Sequence, residues 1–126
     1  MSDSITRLHH AVLAARGSDP AASRTAKLLQ SSRAKMAKKL AEEAVEVVID
    51  AMSGHTEAVV RESADLLYNL VVLWVAAGVR PKDVWAERDR RERLFGIAEK
   101  VPKTEVHPAA RRKVVALDHS RARKRR

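Results

Sequence analysis

Two acidic pairs, each beside an apolar run with helical spacing, constrain the fold of this chain more than any other feature. In the stretch KKLAEEAVE, Glu43 and Glu46 are three positions apart. In the stretch RESADLLYNL, Glu62 and Asp65 have the same separation. Side chains three or four positions apart share one face of a helix. Each pair is therefore predicted to project from a helix, next to the surface by which that helix packs.

The segment that joins the two pairs predicts a helical hairpin. Apolar periodicity predicts helices over about residues 25–52 and 56–77, with Val45 on the packing face of the first. The intervening SGHT predicts a tight turn, with Gly54 ending the first helix and Thr56 as the N-cap of the second. Because the helices run antiparallel and the pairs are about equally far from the turn, four carboxylates are expected at the same level.

Further helical segments flank this hairpin. A helix is predicted over residues 5–15, the first hairpin segment is expected to break near Ser31–Ser32, and Pro81 is placed to open a last helix. The predicted fold is all-α, a hairpin bundle of about four to five helices. A chain of 126 residues buries a modest core, so the bundle is expected to be completed by homodimerisation.

The net charge of +9 is unevenly distributed along the chain. Residues 1–99 carry a net charge of +1 and are predicted to form the all-α domain. Residues 100–126 carry +8 and are predicted to form a basic, mobile tail. A nucleic-acid-binding fold is therefore not inferred from the pI. Nucleic acid as a partner is considered through the tail alone, where clustered cations bind phosphates without sequence preference.

The composition also indicates in which cellular compartment the protein is expected. The chain has no cysteine, which excludes disulfides and favours a cytoplasmic location. It has no apolar run long enough to span a bilayer, so no membrane association is expected. The N-terminal MSDSITRLHH lacks the basic and apolar regions of a signal peptide.

The gathered acids predict a metal site. Four ionised carboxylates at one place repel one another, and burial strengthens the repulsion, so they need a positive partner. Mg²⁺ prefers carboxylate oxygens and commonly completes its coordination with water and substrate phosphate oxygens. The pattern therefore indicates a Mg²⁺ site that handles a polyphosphate. The competing interpretation is a set of solvated acids paired with lysines.

Three lysines precede the first acidic pair: Lys35, Lys38 and Lys39. One interpretation is helix-stabilising pairing, since Lys39 is four residues before Glu43. The other is that the lysines hold phosphate oxygens that the metal does not coordinate. The spacing alone leaves both interpretations open.

The two acidic stretches resemble a known family. EEAVE followed by ESAD is similar to the E-x-x-E…E-x-x-D signature of the all-α, MazG-like nucleotide pyrophosphohydrolases. More narrowly, TAKLL, KMAKKLAEEAVEVVIDAM and ESADLLYNLVVLWVAAGV resemble the phosphoribosyl-ATP pyrophosphatases of histidine biosynthesis, over about residues 23–100.

The resemblance implies a homodimeric enzyme that hydrolyses phosphoribosyl-ATP to phosphoribosyl-AMP and pyrophosphate with Mg²⁺. The metal ligands and catalytic residues implied by the motif are Glu43, Glu46, Glu62 and Asp65, and Glu42 is a candidate additional ligand. The candidate substrate-binding residues are Lys35, Lys38, Lys39, Asn69 and Arg24.

Three positions depart from the family pattern. Arg24 stands where Tyr or Trp is common, Ala41 where Gly is common, and Asn69 where His is common. These changes leave open a house-cleaning pyrophosphohydrolase that acts on other nucleoside triphosphates. They also leave open a weakly catalytic paralogue that binds nucleic acid through its tail.

Overall fold

The computed structural model describes residues 3–96, and all regular structure within that range is helical. The five helices are α1 Ser4–Ala15, α2 Arg24–Leu29, α3 Arg33–Met52, α4 Thr56–Ala77 and α5 Pro81–Phe95. No strand occurs among these residues, which confirms the predicted all-α fold.

Helices α1, α2 and α3 each begin at a side-chain oxygen that accepts a backbone hydrogen bond. Asp3 accepts from the backbone N–H of Thr6 at 2.7 Å. The hydroxyls of Ser23 and Ser32 accept from N–H groups three residues further on, each at 3.0 Å. Such caps satisfy donors that have no partner inside the helix. The cap at Ser32 separates α3 from α2 and confirms the predicted break near Ser31–Ser32.

The hairpin turn between α3 and α4 is short. Gly54 has a φ of 76°, in the left-handed region where a residue without Cβ is least strained, as predicted for the end of α3. Thr56 was expected to cap α4, and that prediction is wrong. Thr56 is already helical, and His55 precedes α4 without a side-chain cap. Instead, the backbone N–H of His55 donates to the Asp50 carbonyl at 3.0 Å, which leaves no extended residue between turn and helix.

The apolar core lies at the end of the hairpin that is distant from this turn. There, α1 and α2 pack against the C-terminal half of α4, and the start of α3 closes the same cluster. Its buried members are Val12, Leu28, Met36, Val71, Val72 and Val75. The end of α3 and the start of α4 contribute no buried apolar residue to it.

Nearer the turn, the hairpin exposes apolar side chains. Val45 was expected on a packing face, yet it is 55% exposed. That expectation is wrong for the single chain, because α3 packs mainly against α4 and its outer side is uncovered. We call the following set the exposed apolar face: Val45, Val48, Ile49, Met52, Val60 and Leu67.

Arginines from two other helices hold the C-terminal end of α4. Arg16 donates from a guanidinium nitrogen to the Val75 carbonyl at 3.1 Å, and Arg33 donates to the Ala76 carbonyl at 3.0 Å. The last carbonyls of a helix have no partner within it, so these bonds satisfy them and tie α1 and α3 to α4. Gly78 follows α4 with a φ of 76°.

The described residues fall into two compact units, residues 3–84 and residues 85–96. In the second unit, Glu87 pairs with Arg90 and Arg91 at 3.1 and 2.8 Å. The predicted domain boundary between residues 99 and 100 lies outside the described residues, as does the predicted tail.

Across residues 3–96, no helix is by itself long and apolar enough to cross a membrane. Taken together, α4 and α5 have sufficient length and apolar composition, but they are bent at the break between them.

Candidate active site

The hairpin brings four acidic side chains together on its two facing helices. One carboxylate oxygen from each of Glu43, Glu62 and Asp65 lies within 4.8 Å of the other two. The carboxyl group of Glu46 lies within hydrogen-bonding reach of that of Glu62. We call these four residues the acidic cluster. The equal distances of the two pairs from the turn account for their meeting.

Two members of the acidic cluster, Glu43 and Glu62, hold a proton more tightly than isolated carboxyl groups do. The hydrogen bond with Glu46, followed by desolvation and repulsion from neighbouring acids, raises the pKa of Glu62 to about 7. Burial, followed by repulsion from Glu46 and Asp65, raises the pKa of Glu43. Without a cation, the cluster therefore retains a proton close to neutral pH.

One oxygen of the acidic cluster is buried without a hydrogen-bond partner. Within the part of the chain that the structure describes, this atom is Glu43 Oε1. Leaving a buried acceptor unpaired costs about 1–3 kcal/mol. The ligands of a six-coordinate Mg²⁺ lie up to about 4.2 Å apart, close to the oxygen spacing of the cluster. The donor set thus fits a hard divalent cation, which would give Glu43 Oε1 its missing partner.

A shallow basic cavity adjoins the acidic cluster on α3. Its volume is about 430 Å³, and it is lined by Ala34, Lys35, Lys38, Lys39 and Glu42. The positive charge of Lys39 partly offsets the rise in the pKa of Glu43, so cavity and cluster are within electrostatic reach. Glu42 lies in this cavity and is not among the three converging oxygens. Its role as a further ligand stays a prediction.

Asn69 follows Asp65 by one turn of α4, but its side chain does not extend the line of acids. It is 7% exposed, and its Nδ2 donates to the backbone carbonyl of Asp65 at 2.9 Å. An amide bonded to its own helix in this way is held in the packing between helices. Contact between Asn69 and a substrate stays a prediction.

Arg24 occupies the first position of α2 and is exposed. Beside it, Thr25 Oγ1 and the Tyr68 hydroxyl are 2.6 Å apart and link α2 to α4. Tyr68 was not a candidate from sequence, because no spacing rule connects two residues 43 positions apart. The one local signal was its position three residues after Asp65.

Fold and site together define an all-α protein with converging acids on a hairpin and a basic cavity beside them. A family model described as "Phosphoribosyl-ATP pyrophosphohydrolase" matches residues 5–92. The chain belongs to this phosphoribosyl-ATP pyrophosphohydrolase family, as the resemblance indicated.

Curated relatives agree with the family model. "Phosphoribosyl-ATP pyrophosphatase 2" of Bradyrhizobium diazoefficiens is 64% identical, with 99% of both chains covered. The protein of the same name in Rhodopseudomonas palustris is also 64% identical, with 97% of this chain and 96% of that protein covered. "Phosphoribosyl-ATP pyrophosphatase" of Granulibacter bethesdensis is 49% identical, with 84% of this chain and 66% of that protein covered.

Proposed function

We propose that this protein hydrolyses phosphoribosyl-ATP to phosphoribosyl-AMP and pyrophosphate, the second step of histidine biosynthesis. The observation that carries the proposal is the acidic cluster, set on the hairpin of a chain that belongs to a family with that name. In the reaction, water forms a new bond to phosphorus and the bridging bond between the α and β phosphates breaks. Pyrophosphate departs as the leaving group.

Mg²⁺ is the proposed cofactor, held by the acidic cluster with Glu42 as a candidate further ligand. When bound, it would neutralise the triphosphate and activate the attacking water. The pKa of Glu62 is raised to about 7, so its carboxyl group must lose a proton before it can act as a ligand. Glu43 Oε1 has no hydrogen bond to break, so it is available to a cation at once.

The basic cavity is the proposed site for the phosphates. Its three lysine side chains lie on consecutive turns of α3 and lead toward the acidic cluster. A cationic donor hydrogen-bonds a phosphate oxygen about twice as strongly as a neutral one does. In this position, the lysines would orient the phosphate chain and stabilise the departing pyrophosphate.

A second copy of the chain is the proposed partner of the exposed apolar face. That face lies on α3 and α4, on the same half of the hairpin as the acidic cluster. Its members on α3 are three or four positions apart and therefore share one side of that helix, and a patch of exposed apolar side chains commonly marks an interface. A homodimer would cover these side chains and supply the packing that the single chain lacks around Val45.

Two features support a second candidate, a house-cleaning pyrophosphohydrolase for other nucleoside triphosphates. Arg24 presents an exposed guanidinium where the family commonly has an aromatic ring, and a guanidinium can also stack on a base. Asn69 is engaged with the backbone of α4. Both could alter substrate choice without altering the acidic cluster. The cytoplasmic location, and nucleic-acid binding by residues 100–126, also stay predictions.

Pyrophosphate release tests the proposal. The full chain with Mg²⁺ is supplied with phosphoribosyl-ATP and, separately, with a panel of nucleoside triphosphates. Release from phosphoribosyl-ATP alone supports the first function, and release across the panel supports the second. A folded chain that releases pyrophosphate from none of them contradicts both and favours the non-catalytic alternative.

A matched pair of variants connects the activity to the acidic cluster. Glu46→Gln removes a carboxylate within hydrogen-bonding reach of Glu62, and it should abolish turnover without unfolding the chain. Glu57→Gln makes the same chemical change in the exposed first turn of α4, outside the cluster, and should retain turnover. Equal activity in the two variants would remove the metal hypothesis.

A further inference from the structure

A second cavity, unrelated to the acidic cluster, lies between α1 and the connection from α4 to α5. Its volume is about 450 Å³, within the range of small-molecule sites. Its lining residues are Thr6, His9, His10, Leu13, Arg16, Val75, Gly78, Val79, Arg80, Pro81 and Lys82. None of them belongs to the acidic cluster or to the basic cavity on α3. We call this space the α1 cavity.

The inner surface of the α1 cavity is mainly apolar. Leu13 contributes from α1, and Val75, Val79 and Pro81 contribute from the end of α4 and the start of α5. Val75 is 3% exposed and Pro81 is buried, so both are fixed by the packing of the fold. Branched and ring side chains of this kind form a surface suited to a compact, flat body such as a nucleobase.

The charged residues of the α1 cavity are all cationic. They are Arg16, Arg80 and Lys82, and among residues 3–96 no Asp or Glu lines the space. Arg16 is held by its bond to the Val75 carbonyl at 3.1 Å. Arg80 is held by the Asp83 carboxylate at 3.0 and 3.2 Å, which also offsets part of its charge, so Arg16 and Lys82 supply most of the positive charge. Two of the three cations are therefore positioned before any ligand arrives, which lowers the entropy lost on binding.

Polar side chains of α1 add hydrogen-bonding capacity beside these charges. His9 lines the cavity at 7% exposure, and His10 and Thr6 line it from the same helix. A neutral imidazole offers one donor and one acceptor, and a hydroxyl offers both. Such groups can read the polar edge of a base or a ribose.

We propose that the α1 cavity binds a nucleoside monophosphate. Its apolar wall would take the base, and Arg16, Arg80 and Lys82 would take the phosphate. A phosphate monoester carries a charge of about −1.5 to −2 at neutral pH, so it pairs with a cluster of cations better than a ligand with one carboxylate does. The proposal rests on this cavity alone, so it does not depend on the reaction proposed for the acidic cluster.

Charge also argues against an occupant from the chain itself. Residues 100–126 carry a net charge of +8, so their cationic side chains would be repelled by the three cations of the cavity. A small anion suits the cavity better than this segment does.

The proposal is tested by titrating the isotopically labelled full chain with AMP, adenosine and inorganic phosphate, without divalent cations. AMP is expected to shift the backbone amide signals of residues 6–16 and 78–82. Adenosine contains only the base and ribose, and inorganic phosphate contains only the anionic group. Each should therefore bind much more weakly than AMP. Phosphate binding as tight as AMP binding would overturn the proposal, and so would AMP shifts confined to the acidic cluster or absent up to millimolar concentrations.

Three variants complete the test. Lys82→Glu reverses a charge in the cavity and should weaken AMP binding at least about tenfold, as expected for loss of a charge-assisted hydrogen bond. Leu13→Trp fills the cavity from a residue that is 40% exposed, so the fold should tolerate it, and it should also weaken AMP binding. Lys27→Glu makes the same charge change on exposed α2, outside the cavity, and should leave binding unchanged. Equal affinity of all three variants for AMP would contradict the proposal.

Discussion

The carboxyl groups of Glu46 on α3 and Glu62 on α4 lie within hydrogen-bonding reach of each other across the hairpin. A hydrogen bond between two acids requires a proton, and it raises the pKa of Glu62 to about 7. Glu62 can therefore hold a proton or bind a cation, but not both. Because a proton and a cation compete, the pH should affect both the stability of the hairpin and the binding of a cation at the acidic cluster.

Without metal, stability should fall between about pH 4.5 and pH 7. The folded pKa of Glu62 lies above its ordinary value of 4.5, so its contribution to stability is complete below pH 4.5. That contribution is lost as the pH rises through 7. Thermal melting in a chelator at pH 5 and pH 8 measures the effect. Glu62→Gln should reduce the difference, and a variant as pH-sensitive as the parent would contradict the assignment.

Glu87 contributes to stability with the opposite pH dependence, and its effect must be separated from that of Glu62. Hydrogen bonds from Arg90 and Arg91 lower the pKa of Glu87 to about 2. Its contribution is present above pH 4.5 and is lost as the pH falls toward 2. The range from pH 5 to 8 therefore reports mainly on the acidic cluster.

Replacing Glu43 by Gln should separate activity from stability. The change removes a converging carboxylate, so turnover should fall at least about a hundredfold if several kcal/mol of metal-dependent stabilisation are lost. It also removes repulsion within the cluster, so the metal-free melting temperature should stay level or rise. Melting curves and initial rates, measured on the same preparation, distinguish a role of Glu43 in turnover from a role in stability. A fall in both would mean that Glu43 is mainly structural.

A charge placed on the exposed apolar face should block self-association. Val48→Asp puts a carboxylate on a residue that is 59% exposed in the single chain, where folding should tolerate it but a covering copy should not. Sedimentation should show a dimer for the parent and a monomer for the variant. Ala11→Asp, on the exposed side of α1, is the control and should remain dimeric. A monomeric parent would exclude the proposed homodimer.

Loss of the contact between Thr25 and Tyr68 should loosen α2 from α4. Tyr68→Phe removes one partner of a 2.6 Å hydrogen bond, and the expected cost is about 1 kcal/mol of unfolding free energy. Thr25→Val removes the other partner. If the hydroxyls act as a pair, the double variant should cost less than the sum of the single ones. Urea unfolding of all four proteins measures this, and additive costs would show that the two hydroxyls do not interact.

Two glycines in open space isolate the effect of backbone conformation. A Cβ added at Gly17 or at Gly54 would meet no atom within 4 Å, but only Gly54 has a positive φ. Gly54→Ala should therefore destabilise the hairpin by about 1–2 kcal/mol. Gly17→Ala should be neutral or slightly stabilising. Chemical denaturation compares the two, and equal free energies of unfolding would show that the turn relaxes without strain.

The hairpin and the meeting of its acids were predictable because both depend on local rules. The three-residue spacing of each pair and their similar distances from Gly54 are visible in the chain. The N-cap at Thr56 was predicted wrongly because the turn takes the backbone of His55 back to Asp50, and residue preferences do not report such a bond.

Other features depend on how distant helices pack, and spacing does not encode that. The bond between Thr25 and Tyr68 and the α1 cavity both require knowing where α1 and α2 lie on α4. Periodicity marked Val45 as apolar and helical, but it could not tell whether the covering surface belongs to the same chain.

The buried core and the acidic cluster occupy different lengths of the same two helices. Core residues such as Met36 and Val72 are at one end, and Glu43 and Glu62 lie closer to the turn. Substitutions of these acids therefore remove no side chain of the buried core, and none of the converging carboxylates is part of that core. The acidic cluster in one half of the hairpin can therefore change while the apolar core in the other half keeps the chain folded.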